Sequence, residues 1–305
     1  MADPMHQNQL GRSGLTVSAV GLGCNNFGRR LDRTGTQAVV DAALDAGITF
    51  FDTADIYGGE GTSERLIGEV LGDRRNRVVL ATKFGMDMGD GTQARGARDY
   101  VRRAVAGSLD RLRTDHIDLY YYHRPDGLTP LEETMGALAE LADEGTIRAY
   151  GISNVDGDEL RQAAAGGDAR LAAVQNEYNL LDRAAEQDVL PVAEELGVGF
   201  VPYFPLASGL LSGKFRRDQP PPPGTRMSDR WAEVDMSVFD RIEALESFAA
   251  ERHHTLLELA FAGLLAQPGV ASVIAGAMNR EQVEGNAMAG SWRLADEDAA
   301  ELAHV

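Results

Sequence analysis

The sequence predicts a parallel α/β fold, a single (β/α)8 TIM barrel over residues 1–305, on three observations: eight short apolar runs along the chain, helical patterns between them, and no composition break that would mark a linker. The runs occupy residues 17–22, 48–51, 78–81, 117–122, 147–152, 171–174, 198–203 and 272–275. Most are continuous rather than alternating and rich in Val, Ile, Tyr or Phe, the pattern of parallel strands covered on both faces. Strand alternating with helix favours a parallel sheet, and eight strands favour closure over an open sheet.

The clearest helix starts at Thr129-Pro130-Leu131-Glu132, which combines an N-cap hydroxyl, proline at the first helical position and a glutamate placed for a capping box. Leu131, Met135, Leu138 and Leu141 then share one face, and Gly145 supplies the stop. Val101, Val105, Leu109 and Leu112 form a second such face, and residues 38–46, closed by Gly47, a third helix. Residues 9–17, with Gly11 and Gly14 around a turn, are either an N-terminal β-hairpin plugging the barrel or a loose leader. Residues 214–231, with Pro220 to Pro223 and Gly224, form a long loop after the seventh strand, of a length typical of functional lids or mobile segments. Residues 295–302 read as a C-terminal helix.

Hydrophobic residues at 44% and charged residues at 25% match an ordinary globular chain, which excludes dominant disorder. A net charge of -18 repels nucleic acid and acidic membrane surfaces over most of the exterior, so neither is an expected partner. The single Cys24 cannot make an internal disulfide, no apolar run reaches the length of a membrane span, and Met1-Ala2-Asp3-Pro4 lacks the pattern of a secretory signal. The expected compartment is the cytoplasm, and the oligomeric state is left open.

Catalytic groups of a barrel gather at the C-terminal ends of its strands. Asp52 ends the second run, Lys83 the third and His123 the fourth, and Tyr57 lies in the loop five residues after Asp52. Neighbouring strands lie ~4.8 Å apart, so such groups can meet around one cavity. Taken singly, Asp52 caps a turn, Lys83 snorkels, His123 is a satisfied core histidine and Tyr57 packs its ring. Packing does not account for a carboxylate, an ammonium, a phenol and an imidazole placed together at one end of adjacent strands.

Five segments carry a resemblance: Phe51-Asp52-Thr53-Ala54-Asp55-Ile56-Tyr57-Gly58, Ala81-Thr82-Lys83-Phe84-Gly85, residues 118–124, Gly151-Ile152-Ser153-Asn154, and Pro205-Leu206-Ala207-Ser208-Gly209-Leu210-Leu211-Ser212-Gly213-Lys214. Over nearly its whole length the chain resembles the aldo-keto reductase superfamily. The resemblance implies a catalytic tetrad of Asp52, Tyr57, Lys83 and His123, a small-molecule aldehyde or ketone as substrate, and no metal. Negative charge grows on a carbonyl oxygen as hydride arrives, so a proton donor must wait there, and Tyr57 is the expected one. Lys83 is expected to lower the Tyr57 pKa, Asp52 to keep Lys83 charged, and His123 to steer the substrate oxygen. The alternative is a cofactor-binding regulatory subunit of the same fold, like the potassium-channel β subunits.

Residues 21–28 superficially match a dinucleotide fingerprint, but Asn26 stands where its third glycine belongs, which disfavours a Rossmann fold. The resemblance instead implies NADPH (NADP+) in a barrel mouth, with NADH possible. Gly23 and Cys24 border it beside Asp52, with Cys24 read as small packing rather than as a nucleophile. Ser153, Asn154 and Gln175 would hydrogen-bond the nicotinamide carboxamide and Tyr203 would stack beneath the ring. Phe204, Pro205, Leu206, Ser208, Leu211, Lys214 and Arg226 would flank the nicotinamide and pyrophosphate. After the eighth strand, Asn279-Arg280-Glu281-Gln282 has N-cap and capping-box form, offering amides to an anion. There Gly276 and Met278 would lie on the phosphate-contacting turn, Arg280 would reach a 2′-phosphate, and Gln282 and Asn286 would surround the adenine. Met278, Gly285 and Phe204 depart from the family's usual residues, so NADPH is expected over NADH by a reduced margin.

Overall fold

A computed structural model describes residues 5–221, 227–228 and 231–305. The chain opens on a hairpin, β1 (Gln7–Gln9) antiparallel to β2 (Thr16–Ser18), with Asn8 opposite Val17. Its turn needs Gly11, which has a φ of 55° and whose Cβ would stand 2.6 Å from the Ala172 carbonyl oxygen. Leu10 and Val17 are fully buried among Phe50, Leu119, Tyr121 and Ala173 of the barrel interior. The hairpin is therefore a plug at the N-terminal ends of the strands and not a loose leader.

Eight parallel strands follow: β3 (Val20–Gly23), β4 (Phe50–Asp52), β5 (Val79–Phe84), β6 (Ile117–Tyr122), β7 (Ile147–Ser153), β8 (Leu171–Gln175), β9 (Gly199–Phe200) and β10 (Val273–Gly276), in the spatial order β10-β3-β4-β5-β6-β7-β8-β9. Closure comes from a parallel bridge between Phe200 and Val270, where the Phe200 N–H donates to the Gly269 oxygen at 2.8 Å and the Ala271 N–H to the Phe200 oxygen at 2.9 Å. The first apolar run is split between plug and barrel. At Ala19 the N–H donates to His6 of the hairpin end while the carbonyl accepts from Val273, so the chain changes sheets at that residue. The seventh run yields only a short strand because Pro202 has no N–H for the ladder, and pairing resumes at the Glu177–Tyr203 bridge.

The helices are α1 (Arg33–Asp45), α2 (Thr62–Leu71), α3 (Arg98–Leu112), α4 (Leu131–Asp143), α5 (Gly157–Gly166), α6 (Val189–Leu196), α7 (Val238–Glu251), α8 (Leu256–Leu265), α9 (Arg280–Ala289) and the C-terminal α10 (Asp296–Leu302). α4 does not start as its sequence suggests. Thr129 is not its cap: the hydroxyl donates to Asp126 at 2.9 Å, because that carboxylate already gathers the Leu128 and Thr129 amides and is the stronger acceptor. A separate apolar cluster joins α7 and α8 to Leu211 and Phe215, with Trp231 stacked on Phe215 at 5.8 Å. It anchors both ends of the long loop. Among the described residues no helix is long and apolar enough to cross a membrane.

If the hairpin closes the barrel floor, Leu10→Ala should destabilise the fold by about 2–5 kcal/mol, the usual cost of emptying a buried leucine site. Chemical denaturation measures it, and a loss under about 1 kcal/mol would show that the plug is not part of the core.

Candidate active site

A cavity of about 900 Å³ opens at the C-terminal ends of the strands. Asp52 closes β4, Lys83 is the penultimate residue of β5 and His123 follows β6 directly, so three neighbouring strands deliver their polar groups to one place. Tyr57 reaches the same place on the loop after β4. That loop is fixed by the Asp55 N–H donating to the Lys83 carbonyl at 3.0 Å and by the Thr53 and Ser63 hydroxyls, 2.8 Å apart. It turns at Gly58, φ 74°, where a Cβ would lie 2.6 Å from the Phe27 oxygen.

Lys83 is fully buried, and its Nζ donates to Asp52 Oδ2 at 2.6 Å and to the Thr53 carbonyl at 2.8 Å. The same Nζ stands 5.0 Å from the centre of the Tyr57 ring. Burial is the largest single influence and opposes the ammonium, but Asp52 and Tyr57 together, by charge and hydrogen bond, outweigh it and lift the Lys83 pKa above its ordinary value. Tyr57 opens onto the cavity yet sits deep enough that loss of hydration holds its phenol above the ordinary value; the downward pull of Lys83 is the smaller effect. Lys83 was expected to bring that phenol down into the working range. The protein's own groups leave it protonated instead.

His123 meets Tyr57 edge to face, with ring centres 5.8 Å apart at 83°. Its Nδ1 is buried without a hydrogen-bond partner among the described residues. Burial, then the charges of Lys83 and Arg124, push its pKa well below the usual range, so the imidazole is neutral at physiological pH. The Cys24 thiol, fully buried, is pushed up by burial and by Asp52, which argues against a thiolate nucleophile.

A hydrogen-bonded chain ties this cluster to the opposite wall. Gln175 Nε2 donates to the second Asp52 oxygen at 3.0 Å, Ser153 Oγ donates to the Gln175 carbonyl at 2.6 Å, and Asn154 Nδ2 donates to Ser153 Oγ at 3.0 Å and to the His123 carbonyl at 2.9 Å. The Tyr203 hydroxyl closes the chain by donating to Asn154 Oδ1 at 2.7 Å. Asn154 sits at φ 60° and is held there by Asn176, whose Oδ1 accepts its N–H at 3.0 Å. Phe204, Ala207 and Ser208 also take left-handed backbone on the cavity wall or beside it, a concentration of strain typical of binding loops.

Gly23, Cys24, Asp52, Ser153, Asn154, Gln175, Tyr203, Phe204, Pro205, Leu206, Ser208, Lys214, Gly276, Met278, Gln282 and Asn286 all line the cavity. Lys83 lies beneath it. Leu211 is not on the wall: its side chain is fully buried in the α7–α8 cluster. Arg280 is not there either, because its guanidinium is held by Asp45 of α1 at 3.0 Å and by Glu284 at 3.3 Å. Arg226 lies outside the described residues. The wall adds Asn25, Met86, Leu257 and Glu281, which sequence reasoning did not select. Asn25 stands in a run read for its glycines, Cys24 and Asn26, and Leu257 lies inside the Thr255–Glu258 capping box of α8, a motif that marks a helix start and not a site.

A second buried polar cluster lies apart from Asp52, Tyr57, Lys83 and His123. Glu64, fully buried, accepts from Thr82 Oγ1 at 2.5 Å and from Arg111 Nε at 2.6 Å. Asp55 is buried beside it with Oδ1 unpartnered among the described residues, and burial, then the Glu64 charge, raise its pKa from 3.8 to about 7. The folded state thus holds a proton that the unfolded chain releases above about 4. The associated stability is present in full below that pH and lost as pH rises through about 7. Asp55→Asn removes this dependence, so thermal melts should find the variant more stable than wild type at pH 8, by on the order of a few kcal/mol, with the gap closing toward pH ~4. A constant gap across that range would contradict a titrating Asp55.

The family profile described as "Aldo/keto reductase family" matches residues 19–305. An uncharacterized oxidoreductase of Bacillus subtilis, YrpG, is 39% identical over 294 residues, spanning 92% of this chain and 89% of that protein. A probable aldo-keto reductase 1 of soybean, Glycine max, is 34% identical over 311 residues, spanning 96% and 87%. Among solved structures, the aldo-keto reductase AKR11C1 from Bacillus halodurans, in its holo form, superposes with a TM-score of 0.84 at 33% identity, covering 98% of this chain and 96% of that one. Profile, sequence and fold agree, and the chain belongs to the aldo-keto reductase family of nicotinamide-dependent oxidoreductases.

Proposed function

We propose that this protein reduces an aldehyde or ketone to an alcohol, with Tyr57 as the general acid and a reduced nicotinamide dinucleotide bound in the large cavity. The observation that carries the reading is the buried Lys83–Asp52 pair directly beneath a protonated tyrosine that faces open space. The residues present fit a dinucleotide: the cavity is large enough, it runs across the barrel mouth, and its inner wall carries the amides of Gln175 and Asn154 and the hydroxyl of Ser153. Bound there, the reduced nicotinamide supplies the hydride that adds to the carbonyl carbon.

The protein's own groups supply the rest. The Tyr57 hydroxyl gives its proton to the carbonyl oxygen as charge builds there, and the O–H bond of the phenol breaks as that of the alcohol forms. Lys83 stabilises the phenolate left behind, which moves the transfer toward product without stripping the phenol beforehand. Asp52 keeps Lys83 charged. Neutral His123 beside Tyr57 offers a hydrogen bond to the same oxygen without adding a cation that would compete with Lys83. The NADPH expectation drew on the resemblance, on the amides at the start of α9 and on Arg280; Arg280 stands away from the cavity, held by Asp45, so this reading takes NAD(P)H as the donor. The cytoplasm remains the proposed compartment.

A panel of aldehydes and ketones, followed by nicotinamide absorbance with each dinucleotide, tests the activity. Turnover of several carbonyls is expected; dinucleotide binding without turnover of any would favour the regulatory-subunit alternative. Tyr57→Phe should keep dinucleotide affinity and lose about 10²–10⁴-fold in reduction rate, the span general acids usually supply. Near-normal turnover in that variant would sink the mechanism. Lys83→Met should lose a similar factor and alter the pH profile of reduction; an unchanged profile with activity retained would remove Lys83 from the proton step.

A further inference from the structure

The carbonyl-reductase reading places the reacting oxygen beside Tyr57 and His123, and the inference drawn here rests on it. Two arginines line the cavity close to those groups. Arg124 follows His123 directly, and its backbone oxygen lies 3.6 Å from where a Cβ on Gly85 would stand, just past the end of β5. Its charge is felt by His123 and by Tyr203. Arg30 lies on the loop after β3, which is packed against the loop that carries Tyr57. A Cβ on Gly28 would stand 2.5 Å from the Thr62 side chain and 3.4 Å from the Gly58 Cα. The Arg30 N–H donates to the Asn26 oxygen at 2.9 Å, which fixes the turn.

Neither guanidinium has a hydrogen-bond or ion-pair partner among the described residues. Acidic residues outnumber basic ones by 47 to 29, and carboxylates claim most arginines elsewhere on the surface. Glu140 takes both Arg98 and Arg102, and Arg252 bridges Asp298 and Glu301. On the cavity wall the supply of carboxylates is short: Asp52 is neutralised by Lys83, and Glu281 belongs to α9. Lys214, the third unpaired cation on the wall, is the one expected at the pyrophosphate of the dinucleotide. Arg30 and Arg124 are left for what binds at Tyr57. A guanidinium fork matches a carboxylate or a phosphate, with two parallel hydrogen bonds to its oxygens. The rest of so acidic a surface repels anions, so a local pair of cations at the mouth concentrates them there.

We infer that Arg30 and Arg124 form an anion subsite beside the proton donor, so that the preferred substrates are aldehydes or ketones that also carry a carboxylate or a phosphate. The test compares kcat/KM for two matched pairs: succinic semialdehyde with its methyl ester, and glyceraldehyde phosphate with glyceraldehyde. Wild type should favour the charged member of at least one pair by about tenfold or more, the worth of one charge-assisted hydrogen bond. Preference in the first pair alone assigns a carboxylate, and in the second alone a phosphate. Arg30→Gln and Arg124→Gln should each lower that ratio, the double variant should bring it near one, and Arg124→Lys should keep part of it. Raising the salt should narrow the wild-type preference, because both arginines are open to solvent. A merely structural role would change both members of a pair alike. Neutral members reduced as well as charged ones by wild type overturn the assignment while leaving the reductase reading standing. So does a loss in the variants that falls on dinucleotide affinity and not on the ratio. Absence of any carbonyl reduction, across these four compounds and the wider panel, overturns both.

Discussion

Lys83 is a cation with none of its side chain exposed, in an interior where an unpaired charge costs on the order of several kcal/mol. What makes it tolerable is Asp52 at 2.6 Å, and what keeps Asp52 in place is Gln175 on its other oxygen. The pair sits between β4 and β5, neighbours whose register sets Asp52 opposite Ala81, two residues before Lys83. Because the pair is buried, Tyr57 above it lies within reach of a positive charge that water does not screen. Barrel closure, strand register and the loop through Gly58 all bear on this one contact.

The plug and the site are opposite ends of the same interior. Leu10 and Val17 fill the N-terminal end against Phe50 and Tyr121, while residues at the far ends of the same strands carry the polar groups. An apolar interior below and a polar mouth above let a short strand such as β4 serve both, with Phe50 facing the plug and Asp52 the cavity. The chain also spends strain near the mouth: Asn154, Phe204, Ala207 and Ser208 hold left-handed backbone, and the Asn176 amide makes Asn154's position rigid.

What the sequence made legible followed from barrel geometry. Asp52, Lys83 and His123 could be placed together because consecutive parallel strands end side by side, and Tyr57 followed from its short separation from Asp52. The plug was one of two readings, since three-residue strands carry too little pattern to exclude a leader. Competition between partners was not legible. Thr129 looks like a helix cap until Asp126, folded back beneath it, offers a charged acceptor, and Arg280 looks like a phosphate ligand until α1 brings Asp45 within 3.0 Å. In both cases a carboxylate is the better partner, one three residues upstream for Thr129 and one on another helix for Arg280, and a motif matched to a single role does not weigh such competitors.

In the proposed reduction, the raised pKa of Tyr57 bears on how a buried acid would work. A donor that ionised early would have no proton to give, and burial prevents that by penalising the phenolate. The same penalty would resist proton transfer if nothing stabilised the phenolate once formed. In the proposed transfer Lys83 would act on that state selectively: an ammonium interacts weakly with a neutral phenol and strongly with a phenolate, so its contribution would be largest as the proton leaves. His123, kept neutral by burial and by the nearby charges of Lys83 and Arg124, adds no second cation to stabilise the phenolate prematurely. Under the proposed mechanism, desolvation and the buried ion pair would therefore act at different moments, one holding the proton and the other stabilising the group that has lost it.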